Sequence, residues 1–336
     1  MKQRFLAGLF PALGLALALA AGPALGAGPA AAAPARTVPA KAAVTLSHDD
    51  GRIGTYVSSG RGFSTSSYWI EGPQGLILID TQFLLSAADE LVDWAERATG
   101  KKVRLALVLH PNPDKFNGTE VLKRRGIEVL TSDQVRGLIP EVHADRHHWF
   151  YDRFKPDYPD KAPQPGSFGA ASRTLSAAGL SLKLHVLGPG CSEAHVVVEY
   201  DGHVFVGDLV ANNHHSWLEI GKTDQWLARL AEIRALKPAF VHPGRGPSAG
   251  PELLDRQEAY LRKVIKRVQD AQVKLTGGAA AAIPAAETAA AEAAIAAVKA
   301  QLLEDYPGFG NDYFLEVGLP AEWDRQARHK DRAKVR

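Results

Sequence analysis

The sequence predicts an α/β protein built as a four-layer αβ/βα sandwich, and two observations carry that prediction. Strand-like segments gather in two groups, one in each half of the chain, and helical segments close each group; two sheets, each covered by helices on one face, satisfy the pattern. Polar side chains also crowd onto the ends of apolar runs. The densest case is His110-Pro-Asn112-Pro-Asp114-Lys115, which follows the run Val103–Leu109. Such a run reads as a buried strand, and charged groups gathered at its end mark a site rather than a core.

The elements follow in chain order. Residues 1–26 have the layout of a secretory signal peptide: Lys2 and Arg4 in a charged start, an apolar stretch from Leu6 to Ala21, and cleavable Ala24-Leu25-Gly26. Pro11, Pro23, Gly8, Gly14 and Gly22 make that stretch a poor membrane span. The mature chain is therefore expected to be exported, periplasmic or secreted, with no membrane attachment after cleavage. Residues 27–41, almost all Ala, Pro and Gly, read as a flexible leader. A main domain is expected over 42–276, and an Ala-rich helix with a C-terminal tail over 277–336.

Within the main domain, Gly54–Ser58, Ser67–Glu71 and Leu76–Ile79 read as strands, the last two joined by the Gly72-Pro-Gln-Gly75 turn. Ala87–Ala98 has helical periodicity with Leu91, Trp94 and Ala95 on one face. A short helix over Gly118–Arg125, a strand at Ile127–Leu130 and a helix over Ser132–Leu138 capped by Ser132 follow. Pro140–Gly169, rich in His, Trp, Tyr, Asp and Pro, reads as a long irregular loop, either a lid or a solvated insertion. In the second half Leu182–Leu187, His195–Tyr200 and His203–Val206 read as strands, with an Asp201-Gly202 hairpin turn. Thr223–Leu236 reads as a helix capped by Thr223. A strand Ala239–His242 and an amphipathic helix Gly250–Lys274 come next. Ala289–Leu303, capped by Thr288, is the last expected helix, and an irregular tail follows it.

Of 336 residues, 46% are apolar and 23% charged, enough for a large core. A net charge of +2, with no basic run interleaved with aromatics, gives no case for nucleic acid. A small-molecule ligand or substrate is the expected partner. Cys191 is the single cysteine, which excludes an intrachain disulfide.

Five stretches carry a family resemblance, and a sixth, at the end of an earlier strand, joins them. His110-Pro-Asn112-Pro-Asp114-Lys115 resembles the metal-binding HxHxDH motif of the metallo-β-lactamase superfamily, with Asn112 at the second His and Lys115 at the last. Gly188-Pro-Gly-Cys191-Ser192 is similar to the turn that supplies the third His, here Cys191. Phe205-Val-Gly-Asp208 resembles the strand end whose carboxylate bridges two metals. His242-Pro-Gly-Arg245-Gly is similar to the turn carrying the last His, here Arg245. Asn212-Asn-His214-His215-Ser-Trp217 resembles the loop that follows the bridging Asp. Asp80-Thr81, after Leu76-Ile-Leu-Ile, resembles the strand end that supports the metal loop by hydrogen bonds. The resemblance implies the four-layer metallo-β-lactamase sandwich, a cleft where these strand ends meet, and hydrolytic chemistry on zinc with Asp114 and Asp208 as its carboxylates.

The residues present modify that implication. Zinc takes nitrogen, thiolate and carboxylate donors, at least three from the protein. His110, Cys191 and Asp208 would supply one such set, so zero or one zinc per chain is expected. Asn112 offers only a neutral amide oxygen. Lys115 and Arg245 bring fixed positive charge to the place of a second metal, where they would neutralise Asp114 and Asp208. Asn112, Asp80, His195, His214, His215 and Trp217 are expected to line the cleft, His195 in a hydrogen-bonding role. Three readings stay open: a catalytically impaired member that binds a small ligand in the cleft, a one-metal hydrolase using His110, Cys191 and Asp208, and metal-free chemistry at Cys191.

Overall fold

The structure, a computed structural model, describes residues 43–46, 51–278 and 283–334. The expected signal peptide and leader lie outside the described residues. Twelve strands among the described residues form two sheets. The first has the order β1-β2-β3-β4-β5-β6-β7, built from β1 (Ala43–Leu46), β2 (Ile53–Val57), β3 (Ser66–Gly72), β4 (Gly75–Ile79), β5 (Val103–Leu107), β6 (Glu128–Thr131) and β7 (Gly166–Ser167). It is antiparallel from β1 to β4 and parallel from β4 to β7. The second has the order β12-β11-β10-β9-β8, from β8 (Arg173–Ala177), β9 (Leu180–Leu187), β10 (His195–Tyr200), β11 (His203–Ala211) and β12 (Phe240–Arg245).

The helices are α1 (Leu85–Thr99), α2 (Pro113–Phe116), α3 (Thr119–Arg124), α4 (Asp133–Phe154), α5 (Thr223–Ala235), α6 (Glu252–Leu275), α7 (Ala289–Asp305) and α8 (Tyr313–Lys334). The period-two alternation of strand side chains divides the core. Val196 and Val198 of β10 and Phe205 of β11 share one cluster with the first sheet, α1 and α4. Val197, Val204 and Val206 share the other with α5, α6, α7 and α8. That division is the helix–sheet–sheet–helix layering of the expected sandwich. Among the described residues no helix is long and apolar enough to cross a membrane.

The Asp201-Gly202 turn has both residues at positive φ, 48° and 80°, as a two-residue hairpin requires. Ser132 accepts a hydrogen bond from Val135 N at 3.2 Å, and Thr288 one from Ala291 N at 3.3 Å, so both expected caps form.

Four expectations need correction. Residues 140–154 are no loop: α4 continues through Pro140 to Phe154, because Val135, Ile139, His143, Arg146, Phe150 and Phe154 make one buried stripe at helical spacing. Residues 313–334 are not irregular: α8 buries Leu315, Leu319 and Trp323 in the second core. Thr223 does not cap α5. It is that helix's first residue, and its hydroxyl donates to the buried carboxylate of Glu322 on α8 at 2.7 Å. Strand β8 was not expected; most of its side chains face solvent, so it lacks the apolar alternation of a half-buried strand.

Candidate functional site

The ends of β4, β5, β11 and β12 meet along one edge of the sandwich, and there the motif residues converge. Beyond β5 the chain turns through His110 into α2, where Asp114 and Lys115 are buried. The turn is held from below by Asp80 and Thr81. Asp80, at φ 64°, accepts from Leu109 N at 2.9 Å. Thr81 donates to the Lys115 carbonyl from both its backbone N–H and its hydroxyl, each at 2.8 Å. Asp208 projects from β11 after Gly207, and Arg245 ends β12 after Gly244. Both glycines are required by contact. A Cβ on Gly207, whose φ is +53°, would sit 3.0 Å from His110 Nδ1, and one on Gly244 would sit 2.0 Å from Asp208 Oδ1.

The side chains form a buried network of two carboxylates and two cations. Arg245 is forked: one terminal nitrogen donates to Asp208 Oδ2 and the other to Asp114 Oδ2 at 2.7 Å. Its Nε donates to the Phe63 carbonyl at 3.1 Å. The Lys115 ammonium, fully buried, lies 3.0 Å from Asp114 Oδ2 and 2.9 Å from Asp208 Oδ1. Its angles miss those of hydrogen bonds, so it acts through charge. Thr65 donates to Asp114 Oδ2 at 3.1 Å.

Burial by itself would raise the carboxylate pKa values and lower those of the cations. The mutual pairing wins. Lys115 and Arg245 hold Asp114 below the usual carboxylate range, Arg245 and Lys115 hold Asp208 well below it, and the two carboxylates push both cations up. Two negative and two positive charges thus cancel inside the fold.

Asp80 behaves differently. Burial dominates over the pull of Lys115, 3.9 Å away, and its pKa rises to about 8. A carboxyl with a raised folded pKa stabilises the fold fully below its unfolded value near 4, and that contribution is lost as pH rises toward 8. Asp80→Asn keeps an acceptor for Leu109 N and abolishes the titration. Urea melts of the variant between pH 4 and 8 are expected to show a shallower loss of stability with pH than wild type; parallel slopes would contradict the assignment.

Three sequence-derived ligands lie close by. Both ring nitrogens of His110 lack a hydrogen-bond partner among the described residues, and its Nε2 is 3.6 Å from Asp208 Oδ2. Cys191, 1% exposed, faces His195, with Sγ 3.2 Å from Nε2. His195 is held neutral, its pKa pushed down to about 3 by burial, and its Nδ1 donates to the Gly188 carbonyl at 3.0 Å. That leaves Nε2 as the acceptor for the thiol proton. Burial, with the charge of Asp208, pushes the thiol well above its ordinary value, so it remains S–H. Among the described residues no group of three or more His, Cys, Asp and Glu side chains is placed to hold a metal ion. Two of the positions explain this: Asp208 has each oxygen on a cation, and Asn112 is a neutral amide. The residues present do not fit a zinc centre in this arrangement.

A cleft lies above the network, lined by Asn112, Asp208, Arg245, Arg146 and Trp217 with the rings of Phe150 and Phe314. Of the residues expected to line the cleft, the structure places Asn112 and Trp217 in its wall. Asp80 lies beneath the loop and His195 behind Cys191. His214 bonds the Asn212 carbonyl through Nδ1 at 2.9 Å, and His215 is buried against the Tyr260 hydroxyl at 3.1 Å. None of these four lines the cleft, because each is turned to a partner elsewhere.

The sequence reading missed Thr65, Arg146, Glu219 and Phe314. Arg146 pairs with Glu219 and stacks on Trp149 at 4.3 Å, while Trp217 Nε1 donates to Glu219 at 2.9 Å. The Phe314 ring lies 4.8 Å from the Arg245 guanidinium and edge-on to Trp217. The free space left in the cleft is about 30 Å³, roughly the volume one water occupies in the liquid.

Comparison with known proteins adds the relatives. The family model described as the metallo-beta-lactamase superfamily matches residues 60–245. No curated protein matches the chain. Among solved structures, a metallo-β-lactamase from Pontibacter korlensis is similar at 20% identity and a TM-score of 0.53, over 66% of this chain and 99% of that one. DIM-1 metallo-β-lactamase exposed to ceftazidime is similar at 19% identity and 0.54, over 67% and 98%. The mono-zinc form of FIM-1 from Pseudomonas aeruginosa is similar at 18% identity and 0.50, over 67% and 96%. At these identities the likeness is one of fold.

Proposed function

The chain belongs to the metallo-β-lactamase superfamily, and from that membership we propose that it is an exported, catalytically impaired member of this hydrolase superfamily, whose two-metal zinc site has degenerated into an internal salt-bridge network. One observation carries the reading: the Arg245 guanidinium and the Lys115 ammonium each contact both Asp114 and Asp208. A dication bridging the two carboxylates would have to displace both cations and bury their charge unpaired. The network does the metal's electrostatic work without its Lewis acidity, so no hydroxide is generated at the cleft.

The cleft then serves binding. Asn112 offers an amide, and the surrounding rings offer apolar contact. The one-metal reading is disfavoured by the state of one donor, because both oxygens of Asp208 are paired with cations. Burial, which pushes the Cys191 thiol up, disfavours nucleophilic chemistry there.

One preparation tests the export and metal parts together. Protein recovered from the native host's periplasm or medium is expected to begin near Ala27, and elemental analysis is expected to find at most one zinc per chain. A cytoplasmic form retaining Met1 would overturn export. Two zincs per chain would overturn charge replacement.

A further inference from the structure

A second room, larger than the cleft, opens on the second sheet's side of the sandwich. At the Asn212–Asn213 turn a chamber of about 280 Å³ opens between α6 and the segment leading into α8, lined by Asn213, Leu253, Arg256, Tyr260, Tyr306 and Phe309. The cleft holds about 30 Å³. An apolar cavity of ~150 Å³ accepts a benzene ring, so the chamber has space for a one- or two-ring molecule. Tyr306 and Phe309 lie beyond residue 245, where the family match ends.

The lining specifies a ligand chemistry. The Tyr306 ring lies 5.1 Å from that of Tyr260 and 4.9 Å from that of Phe309, which makes a continuous aromatic wall. The Tyr260 hydroxyl is already engaged with His215 Nδ1 and Ser216 N, at 3.1 and 3.3 Å. The lining contains one cation, Arg256, and no carboxylate. Nearby on α6, Arg262 pairs with Glu258 and Arg267 with Asp305. Arg256 has no such partner among the described residues. An unpaired guanidinium beside an aromatic wall matches a planar ring bearing a carboxylate, which the fork can hold through two hydrogen bonds.

We propose that this chamber binds a small aromatic carboxylate, its ring against Tyr306 and Phe309 and its carboxylate on Arg256. The site is independent of the cleft and of any metal.

Calorimetric titration of the full chain with 2-naphthoate tests it, with 2-naphthamide as the uncharged counterpart. Arg256 is exposed, so Arg256→Ala is expected to fold as wild type does. Naphthoate binding is expected to weaken about tenfold in Arg256→Ala, the worth of a charged hydrogen-bonded contact, while naphthamide binding stays unchanged. Tyr306→Leu is expected to weaken both. Asn112→Ala, in the cleft, is expected to change neither. No saturable binding by about 5 mM naphthoate, or equal affinity of wild type and Arg256→Ala, would overturn the proposal. Affinity lost in Asn112→Ala and kept in Arg256→Ala would overturn it too, and would leave the cleft reading standing.

Discussion

Arg245→Ala is expected to cost the fold about 3 to 5 kcal/mol, the usual penalty for removing one partner from a buried ion pair. For a domain of this size that is roughly a 10 °C fall in melting temperature. The reason lies in what remains. Asp114 and Asp208 would both stay buried, facing each other with Lys115 as the one cation between them, and the Phe63 carbonyl would lose the nearer of its two donors, keeping Asn311 Nδ2 at 3.4 Å. Arg245→Lys keeps the charge but not the fork that reaches both carboxylates, so an intermediate loss is expected. The pH dependence has a definite sign. Asp114 and Asp208 have depressed folded pKa values, so their stabilisation is present above the unfolded value near 4 and lost as pH falls through the folded values. The gap between wild type and Arg245→Ala should therefore be widest at neutral pH and should narrow below about pH 4. Thermal melts of the three proteins from pH 3 to 7 measure it. An Arg245→Ala protein as stable as wild type at pH 7 would remove the network's structural role and leave the arginine for a ligand.

The sequence made legible whatever depends on apolar periodicity or on a short run of consecutive residues. The strands before Asp80, His110 and Asp208 are apolar through most of their length, and the residues that follow them are the ones brought together. The second part of α4 and the whole of α8 escaped for a shared physical reason: polar residues occupy their buried faces. The stripe of α4 includes His143 and Arg146, and α8 buries Glu322, Arg325 and Gln326 beside Leu319 and Trp323. Glu322 is fully buried because Thr223, Arg325 and Gln326 all donate to it. A periodicity count scores each of these as an exposed position, and Pro140 and Pro320 inside the helices add to the misreading. The site was read unevenly on the same grounds. Motif positions named His110, Asp114, Lys115, Cys191, Asp208 and Arg245, but the Phe63 carbonyl on Arg245 is a backbone group without a residue-type signal. Phe314, which closes the cleft, comes from the stretch that looked irregular.

Putting histidine back at all four altered positions is expected to turn a metal-independent fold into a zinc-dependent one. Asn112→His, Lys115→His, Cys191→His and Arg245→His together supply nitrogen donors around Asp114 and Asp208, the donor set zinc takes. They also remove both buried cations. Without metal the variant carries two buried carboxylates and no fixed positive charge to offset them, so it should melt well below wild type, by more than Arg245→Ala does. Zinc then binds the folded state alone, and free zinc at a thousandfold excess over the dissociation constant returns about 4 kcal/mol per site. Thermal melting of wild type and quadruple variant, with and without zinc, reads this directly, with elemental analysis of the stoichiometry. The expected pattern is two zincs per chain and a large upward shift in the variant, against at most one zinc and almost no shift in wild type. The sandwich itself can accept the change, since the glycines that let the strand ends approach Asp208 and His110 are still in place at 207 and 244. A folded variant whose melting ignores zinc would show that the two cations do not occupy the positions of metal ligands, and the charge-replacement account would fail. A wild type stabilised by zinc as strongly as the variant would fail it equally, because Lys115 and Arg245 would then be yielding their place to the metal.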